Sequence, residues 1–439
     1  MILDVNELGG AGGGRKQRAL VLHPDIRGAD GNRTAEAALA EALSLAAALP
    51  GIVVTGGLVV RLPRAQPGML FGSGKVDELK TRIDSEDIEL VLIDGPVSPV
   101  QQRNLEKAWG VKLLDRTGLI LEIFADRART REGVLQVELA ALSYQRTRLV
   151  RAWTHLERQR GGLGFVGGPG ETQIEADRRA IDTQILRLRR QLEKVVKTRE
   201  LHRAARRRVP FPVVALVGYT NAGKSTLFNH LTGAEVLAKD MLFATLDPTM
   251  RAVVLPGGLS VILSDTVGFI SDLPTQLVAA FRATLEEVLE ADLILHVRDV
   301  AHPESEAQAD DVETILGDLG VADDVARVEV WNKIDLLPDD DPRRTIAQRR
   351  EGVIAVSALT GEGIPALIET IGSALGDERR VETVLIGHGD GRARAFAYAE
   401  GIVQSEDTVD DGIRLTVRWS ARQRARFDGL RAPDDPSPA

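Results

Sequence analysis

The chain has 439 residues, of which 44% are hydrophobic and 27% charged, a composition typical of a soluble globular protein with about two to four domains. It contains no cysteine, which excludes a disulfide framework, a cysteine nucleophile and thiolate metal sites. The first residues do not form a signal-peptide pattern, and no apolar run approaches the ~18 residues of a membrane span. We therefore expect a cytoplasmic protein that does not insert into membranes.

The formal net charge is −9, yet positive charge is concentrated between Arg146 and Arg208. This segment has 17 lysines and arginines against seven acidic residues, and 15 of the 17 are arginines. Arginine binds phosphate through two parallel hydrogen bonds and stacks on bases. The segment is therefore either a solvated helical surface or an arm that binds RNA.

In the N-terminal part, residues 1–17 are predicted to be disordered, and short apolar runs alternate with helical patterns over residues 18–130. This alternation predicts an α/β domain with a small parallel sheet. The predicted strands are Ala19–Leu22, Val53–Val54, Val59–Leu62, Leu90–Ile93 and Val111–Leu114, and the predicted helices are Thr34–Leu49, Val76–Ser85 and Val100–Trp109.

Residues 131–208 contain two long helical patterns with apolar residues at alternating steps of three and four, the spacing of a coiled-coil seam. Between them, Gly161–Gly170 has six glycines in ten residues, which interrupts any helix. The pattern predicts a long antiparallel helical hairpin with a glycine-rich tip. The alternative is that both helices pack into the globular body.

From residue 211 to 376 the pattern again alternates between strand and helix, which predicts a P-loop domain with a mostly parallel sheet. Residues 380–430 are predicted to form a small α+β domain, and residues 431–439 a disordered tail. In this domain the predicted strands are Thr383–Ile386, Ala395–Tyr398 and Leu415–Trp419, and the predicted helix is Ala421–Leu430.

A phosphate-binding loop follows the apolar strand Val213–Val217. The run from Gly218 to Ser225 matches G-x-x-x-x-G-K-[ST] between a strand and a helix, where backbone N–H groups surround a phosphate. Lys224 would neutralise the β- and γ-oxygens, and the Ser225 hydroxyl would bind Mg²⁺. The predicted nucleotide-binding residues here are Gly218, Tyr219, Thr220, Asn221, Ala222, Gly223, Lys224, Ser225 and Thr226.

Two further segments are candidates for binding Mg²⁺ and the γ-phosphate. Asp265, after the strand Leu259–Leu263, is placed like a Walker-B carboxylate, and the amide of Gly268 would bond the γ-phosphate. Thr245 is the candidate for the second hydroxyl ligand of the metal, with Thr249 as the competitor. The predicted catalytic residues are Lys224, Thr245 and Gly268, and the predicted metal ligands are Ser225, Thr245 and Asp265.

The base-reading candidate is Asn332-Lys333-Ile334-Asp335, at the end of another strand pattern. A carboxylate at Asp335 can accept from both N1–H and the exocyclic amine of guanine, a pair of donors that adenine lacks. After the next strand, the backbone amides of Ser357 and Ala358 could reach the guanine carbonyl. The sequence therefore favours GTP and GDP as ligands.

A second glycine–lysine run occurs at Gly72-Ser73-Gly74-Lys75, where Val76 follows the lysine instead of a hydroxyl residue. It is interpreted as a turn before a helix, with a second phosphate contact as the alternative. If that alternative holds, the protein could be an RNA-remodelling ATPase that uses its N-terminal domain.

The motifs of residues 211–376 resemble those of translation-factor-class GTPases. Phe269 stands after Gly268 where many such proteins have a water-orienting glutamine, so the domain alone should hydrolyse GTP slowly and need a catalytic group from elsewhere. In some GTPases with an apolar residue at this position, an asparagine placed like Asn221 helps to bind K⁺. The predicted ligands Ser225, Thr245 and Asp265 make Mg²⁺ the expected cofactor, and Asn221 makes K⁺ a further candidate.

Longer motifs resemble the HflX family of GTPases over roughly residues 18–380. They are Phe71–Lys75, Trp153–Arg158, Gly161–Arg179, Ala244–Pro248 and Asp265–Ile270.

This resemblance implies a GTPase that binds the large ribosomal subunit and splits stalled ribosomes, notably under stress. Nothing in the sequence requires more than a monomer, which is the expected oligomeric state. It also implies that the hairpin tip reaches ribosomal RNA. The candidate RNA-binding residues are Arg151, Arg158, Arg160, Arg178 and Arg179. The alternative function is a GTP-regulated scaffold that binds ribosomes without splitting them.

Overall fold

The computed structural model describes residues 16–27, 33–159, 169–206, 211–234, 242–243, 245–246, 248–256, 258–271, 287–322, 325–375, 380–387, 390–409, 411–419 and 421–430. Within these residues, no helix combines the length and the apolar character that a membrane span needs. The predicted C-terminal tail, 431–439, lies outside the described residues, as do residues 1–15 of the predicted disordered N-terminus.

The N-terminal part forms a four-stranded parallel sheet of order β2-β1-β3-β4. Its elements are β1 Gln17–Ile26, α1 Ala35–Ala48, β2 Ile52–Leu62, α2 Ser73–Ser85, β3 Leu90–Ile93, α3 Pro99–Trp109, β4 Lys112–Asp115 and α4 Arg116–Arg127. Two details correct the sequence prediction. β1 already begins at Gln17, and the two short strands predicted around residues 53–62 are one strand, because Gly56 and Gly57 continue the pairing with β1.

Two long helices follow, α5 Arg131–Gln159 and α6 Pro169–Arg206. They form the predicted antiparallel hairpin, in which Arg146 Nε of α5 lies 2.6 Å from Asp182 Oδ1 of α6. α6 has 38 residues and is therefore ~57 Å long at 1.5 Å per residue. Most of the predicted glycine-rich tip, residues 160–168, lies outside the described residues.

The next part is a six-stranded sheet of order β10-β9-β8-β5-β7-β6, in which only the edge strand β6 runs antiparallel to its neighbour. Its elements are β5 Val213–Val217, α7 Lys224–Thr232, β6 Thr249–Val254, β7 Ser260–Asp265, β8 Leu293–Asp299, α8 Ser305–Leu319, β9 Ala326–Asn332, α9 Pro342–Arg349, β10 Val353–Ala355 and α10 Ile364–Leu375. The parallel strands end at one edge, where open α/β sheets bind their ligands.

The C-terminal part is an antiparallel sheet of order β11-β13-β12 with two helices. Its elements are β11 Arg380–Ile386, α11 Gly391–Ala399, β12 Val403–Val409, β13 Gly412–Trp419 and α12 Ala421–Leu430. The predicted strand Ala395–Tyr398 is wrong, because these residues lie in α11. Ala393 and Ala397 are buried one helical turn apart there, so the helix packs on the sheet through its small side chains.

One apolar core joins the N-terminal and the six-stranded sheet regions. Side chains of α4 and of the loops that follow α7 and β7 belong to the same buried cluster. Phe124 of α4 packs edge-on against Phe243, with ring centroids 4.6 Å apart. Helix α4 of the N-terminal part therefore packs on the loops at the ligand-binding edge of the six-stranded sheet.

Candidate functional site

The loop between β5 and α7 can be built only with glycine at two positions. Gly218 has φ +151°, and a Cβ there would lie 2.1 Å from the carbonyl oxygen of Val297. Gly223 has φ +94°, and a Cβ there would lie 2.2 Å from Nδ2 of Asn332. These glycines let the chain turn tightly against β8 and β9 before α7 begins at Lys224, so that the N-terminus of α7 points into the loop.

Lys224 lies inside the curve of this loop and is only 6% exposed. Its ammonium donates to the carbonyl oxygens of Gly218 at 3.1 Å and Tyr219 at 2.8 Å. Burial lowers the pKa of Lys224 to about 8, and the nearby Asp265 carboxylate acts in the opposite direction. A desolvated cation held in a glycine loop is the arrangement that binds the phosphates of a nucleotide.

The three predicted metal ligands come together beside the loop. Ser225 Oγ lies 2.8 Å from Thr245 Oγ1, and both hydroxyls donate to Asp265 Oδ2, at 2.7 Å and 3.0 Å. Thr249, the competing candidate, is the backbone pairing partner of Asp265 in β6 and β7, and in the described part of the chain its hydroxyl bonds none of these oxygens. The structure therefore places Thr245, and not Thr249, with the other two candidates.

These oxygens fit a magnesium ion. The other carboxylate oxygen of Asp265, Oδ1, is buried and has no hydrogen-bond partner in the described part of the chain. Burial raises the pKa of Asp265, while the hydrogen bonds from Ser225 and Thr245 and the charge of Lys224 lower it. Mg²⁺ prefers oxygen ligands and commonly takes one or two carboxylates together with the phosphates of its substrate.

The segment after β7 lies directly on the phosphate loop. A Cβ on Gly268 would lie 2.8 Å from the Cα of Thr220 and 3.0 Å from Nζ of Lys224, so only glycine allows this approach. Phe269 donates its amide to the carbonyl of Gly218 and accepts from the amide of Thr220. Its side chain is 1% exposed and belongs to the shared apolar core, so it does not supply a group that could orient water.

In the candidate base-reading motif, the side chain of Asn332 connects two loops. Its Nδ2 donates to the carbonyl of Ala222 at 2.8 Å, and its Oδ1 accepts from the amide of Ala358 at 2.9 Å. Lys333 forms an ion pair of 2.8 Å with Asp299, and Asp335 lies in a short 3₁₀ helix just beyond β9. The motif is thus placed at the carboxyl end of β9, next to the phosphate loop.

The amides of Ser357 and Ala358 have acceptors within the protein. Ser357 donates to the carbonyl of Glu362 at 2.9 Å, and Ala358 donates to Asn332. Their suggested contact with a guanine carbonyl stays a prediction, and the structure gives the amide of Ala358 a second role, which is to hold Asn332 in place.

The candidate RNA-binding arginines lie on the hairpin, as far as they are described. Arg178 and Arg179 are exposed on α6, and the Nε of Arg178 lies 4.0 Å from Asp182. Arg151 and Arg158 lie on α5 where only the backbone is described, and Arg160 lies outside the described residues. Their role in RNA binding stays a prediction.

Sequence reasoning missed one group of residues at this site. The hydroxyl of Tyr219, in the phosphate loop, bonds Glu41 of α1, a residue 178 positions earlier. Ser271, three residues after Gly268, bonds Tyr219 and accepts from Arg116 of α4. No spacing pattern could have revealed this interdomain cluster, because its members come from unrelated positions in the chain.

The fold and the site are those of a P-loop GTPase, and comparison with known proteins agrees. Residues 213–333 match the family model described as 50S ribosome-binding GTPase. Residues 36–125 and 127–206 match the N-terminal and middle-region models of a GTP-binding GTPase, and residues 344–431 match the HflX C-terminal domain.

The chain belongs to the HflX family of GTPases. It is 51% identical to a GTPase HflX of Magnetococcus marinus, over 86% of this chain and 87% of that one. It is 46% identical to GTPase HflX of Escherichia coli, over 80% and 83% of the two chains. It is also 38% identical to the mouse protein called putative GTP-binding protein 6, over 96% and 83%. The resemblance found in the sequence motifs is confirmed.

Proposed function

We propose that this protein hydrolyses GTP, binds the large ribosomal subunit, and splits stalled ribosomes while GTP is bound. The observation that carries the GTPase part is the convergence of Ser225, Thr245 and Asp265 beside the buried ammonium of Lys224. The ribosomal part is supported by the family model that residues 213–333 match and by the arginine-rich hairpin.

Each of these residues would have a separate role in GTP hydrolysis. Lys224 binds the β- and γ-oxygens, and the loop amides hold the phosphates in position. Ser225, Thr245 and Asp265 would hold Mg²⁺, which supplies neutralising charge to the phosphates when it is bound. The backbone of Gly268 approaches Lys224 closely, and its amide would bond the γ-phosphate, so that this segment would distinguish GTP from GDP.

Hydrolysis by the isolated protein should be slow. Phe269 is directed into the apolar core, so the side chain at that position does not take the role of a water-orienting glutamine. The missing catalytic group would come from the ribosome, and turnover should rise when large subunits are added. A measurement of GTP turnover with and without purified large subunits tests this part.

Potassium is a second candidate for the missing catalytic group. Asn221 has φ +60°, a conformation that asparagine tolerates better than most residues, and it stands in the phosphate loop. If Asn221 helps to bind K⁺, turnover in potassium buffer should exceed turnover in sodium buffer, and Asn221→Ala should remove the difference. Equal rates in the two salts would contradict a role for K⁺.

Ribosome splitting is tested by sedimentation of intact ribosomes with the protein and GTP. Conversion of ribosomes to subunits supports the proposal, whereas co-migration without separation would favour the scaffold. Arg178→Gln combined with Arg179→Gln should weaken ribosome binding and reduce its salt dependence, without changing affinity for the free nucleotide. The matched control neutralises two exposed arginines away from the hairpin, Arg251→Gln and Arg349→Gln, and should bind like the wild type.

A further inference from the structure

Helix α4 contacts both segments that would sense the γ-phosphate. Its first residue, Arg116, donates to the carbonyl oxygen of Ser271 at 2.9 Å, three residues after Gly268. Two turns further along the helix, Phe124 packs on Phe243, two residues before Thr245. One helix of the N-terminal part is therefore in contact with the neighbours of both Gly268 and Thr245.

Arg116 is bound from several sides inside the protein. Its side chain is 9% exposed and pairs with Asp94 at 2.6 Å and Glu41 at 2.5 Å, in addition to the carbonyl of Ser271. Loss of the Ser271 carbonyl would leave an N–H of this buried guanidinium without its acceptor, which is unfavourable even while both ion pairs remain. A displacement of Ser271 should therefore be transmitted to Arg116.

The phosphate loop belongs to the same network. The hydroxyl of Tyr219 lies 2.5 Å from Ser271 Oγ, accepts from the amide of Ser271 at 2.9 Å, and bonds the carboxylate of Glu41. Arg33 donates to Glu41, to Ser271 and to Glu304 at the start of α8. Both backbone groups of Ser271 are thus held, the amide by Tyr219 and the carbonyl by Arg116.

The other end of this connection is the hairpin. Asp115, which immediately precedes α4, caps that helix by accepting from the amide of Gly118 at 2.9 Å. The same carboxylate accepts from the hydroxyl of Tyr144 at 2.5 Å and pairs with Arg148 at 2.9 Å, both on α5. Asp115 is buried, so α5 is attached to the cap of α4 by a desolvated polar contact.

We propose that Asp115 and Arg116 make the start of α4 a coupling element, which transmits the state of the nucleotide to the base of the hairpin. When the segments around Thr245 and Gly268 order on the γ-phosphate, Arg116 and Phe124 move with them, and Asp115 carries that movement to Tyr144 and Arg148. This inference rests on the proposed function, because it explains how bound GTP changes the affinity of the hairpin for the ribosome.

The first test compares ribosome affinity in two nucleotide states. Large-subunit Kd values are measured with GDP and with a non-hydrolysable GTP analogue, for the wild type, Asp115→Asn and Tyr144→Phe. We expect the wild type to bind about tenfold more tightly with the analogue, and the two variants to differ by less than about twofold between the states, with nucleotide affinity unchanged. The matched control is Asp182→Asn, which breaks an ion pair between α5 and α6 and should keep the wild-type ratio.

The second test needs no ribosome. Because the chain has no cysteine, spin labels can be attached at Leu186→Cys on α6 and Val254→Cys on β6, two exposed positions. The distance between the labels should differ between the GDP and analogue states, and Asp115→Asn should abolish that difference. Identical distances in both states, or a difference that persists in Asp115→Asn, would overturn the inference.

The two tests distinguish a failure of the proposed function from a failure of the coupling role of α4. If the wild type does not bind large subunits in either state, the proposed function fails, while the label distances still decide whether α4 couples the nucleotide to the hairpin. If the wild type binds in a nucleotide-dependent manner and Asp115→Asn keeps the same ratio, only the coupling role of α4 is wrong.

Discussion

The protein contains two glycine–lysine loops at the start of a helix, and their backbone geometry differs. In the loop from Gly218 to Ser225, Gly218 and Gly223 have positive φ, and neighbouring atoms fill the space of a Cβ at both. In the loop at Gly72–Lys75, Gly72 has φ −68°, and a Cβ added to Gly72 or Gly74 would have no neighbouring atom within 4 Å.

The two lysines differ in the same way. Lys224 is buried and donates to carbonyl oxygens of its own loop, whereas the Lys75 side chain is 31% exposed and pairs with Glu78 one turn along α2. A phosphate site thus requires a backbone that closes around the lysine, and a glycine beside a lysine is not sufficient. This difference argues against the alternative of an ATPase centred on Lys75.

The largest expected effect comes from removing each lysine in turn. Lys224→Ala should weaken GTP and GDP binding by about a hundredfold or more, because the phosphates lose their desolvated positive partner. Lys75→Ala should leave binding within about twofold of the wild type. Titration with a fluorescent nucleotide measures both. ATP turnover that survives Lys224→Ala but is lost in Lys75→Ala would reverse the comparison.

The glycines provide the next test. Gly223→Ala would place a methyl 2.2 Å from Asn332 in a left-handed conformation, so it should reduce nucleotide affinity by about thirtyfold and lower the melting temperature. Gly74→Ala places a methyl in open space at the start of α2 and should be neutral or slightly stabilising. Equal effects of the two substitutions on nucleotide binding would remove the structural distinction between the loops.

Asp335, the candidate for reading the base, extends the comparison, because Asn332 of the same motif bonds Ala222 in the loop from Gly218 to Ser225. Asp335→Asn exchanges an acceptor for a donor and should shift preference from GTP towards xanthosine triphosphate by about tenfold or more. Competition of the two nucleotides for one labelled ligand measures the ratio. An unchanged ratio would show that another group reads the base.

The smallest expected effect is the pH dependence of nucleotide binding. The pKa of Lys224 is lowered to about 8, so its charged form is lost as the pH rises through 8, and the nucleotide binds that charged form. Affinity should therefore fall as the pH rises above about 8, by at most tenfold per pH unit. Lys75→Ala should keep this profile. A flat profile from pH 7 to 9 in the wild type would contradict it.

Motifs with short internal spacing were predicted well from the sequence. The phosphate loop, the strand before it and the helix after it are contiguous, and their residue types are required by the backbone geometry at Gly218 and Gly223. The helical hairpin was equally visible, because its apolar repeat extends over many turns. The strand predicted at Ala395–Tyr398 was wrong, because a run of only four residues does not distinguish a strand from a buried helical turn.

The choice between Thr245 and Thr249 shows where sequence reasoning ends. Both threonines stand in the same short segment and have the same chemistry, and only the tertiary structure shows that the Thr245 hydroxyl lies against Ser225 and Asp265, while Thr249 pairs with Asp265 through the backbone.

By itself, the sequence determined the family and the α/β fold and predicted the candidate residues of the nucleotide site, because these depend on residue types at fixed local spacing. Only the tertiary structure decided that Tyr219 and Ser271 contact Glu41 and Arg116, and that Asp115 holds the base of the hairpin. Contacts between positions far apart in the chain arise from how the helices and sheets pack, and that packing depends on side-chain fit across the whole core. The local spacing of residue types therefore does not predict these contacts.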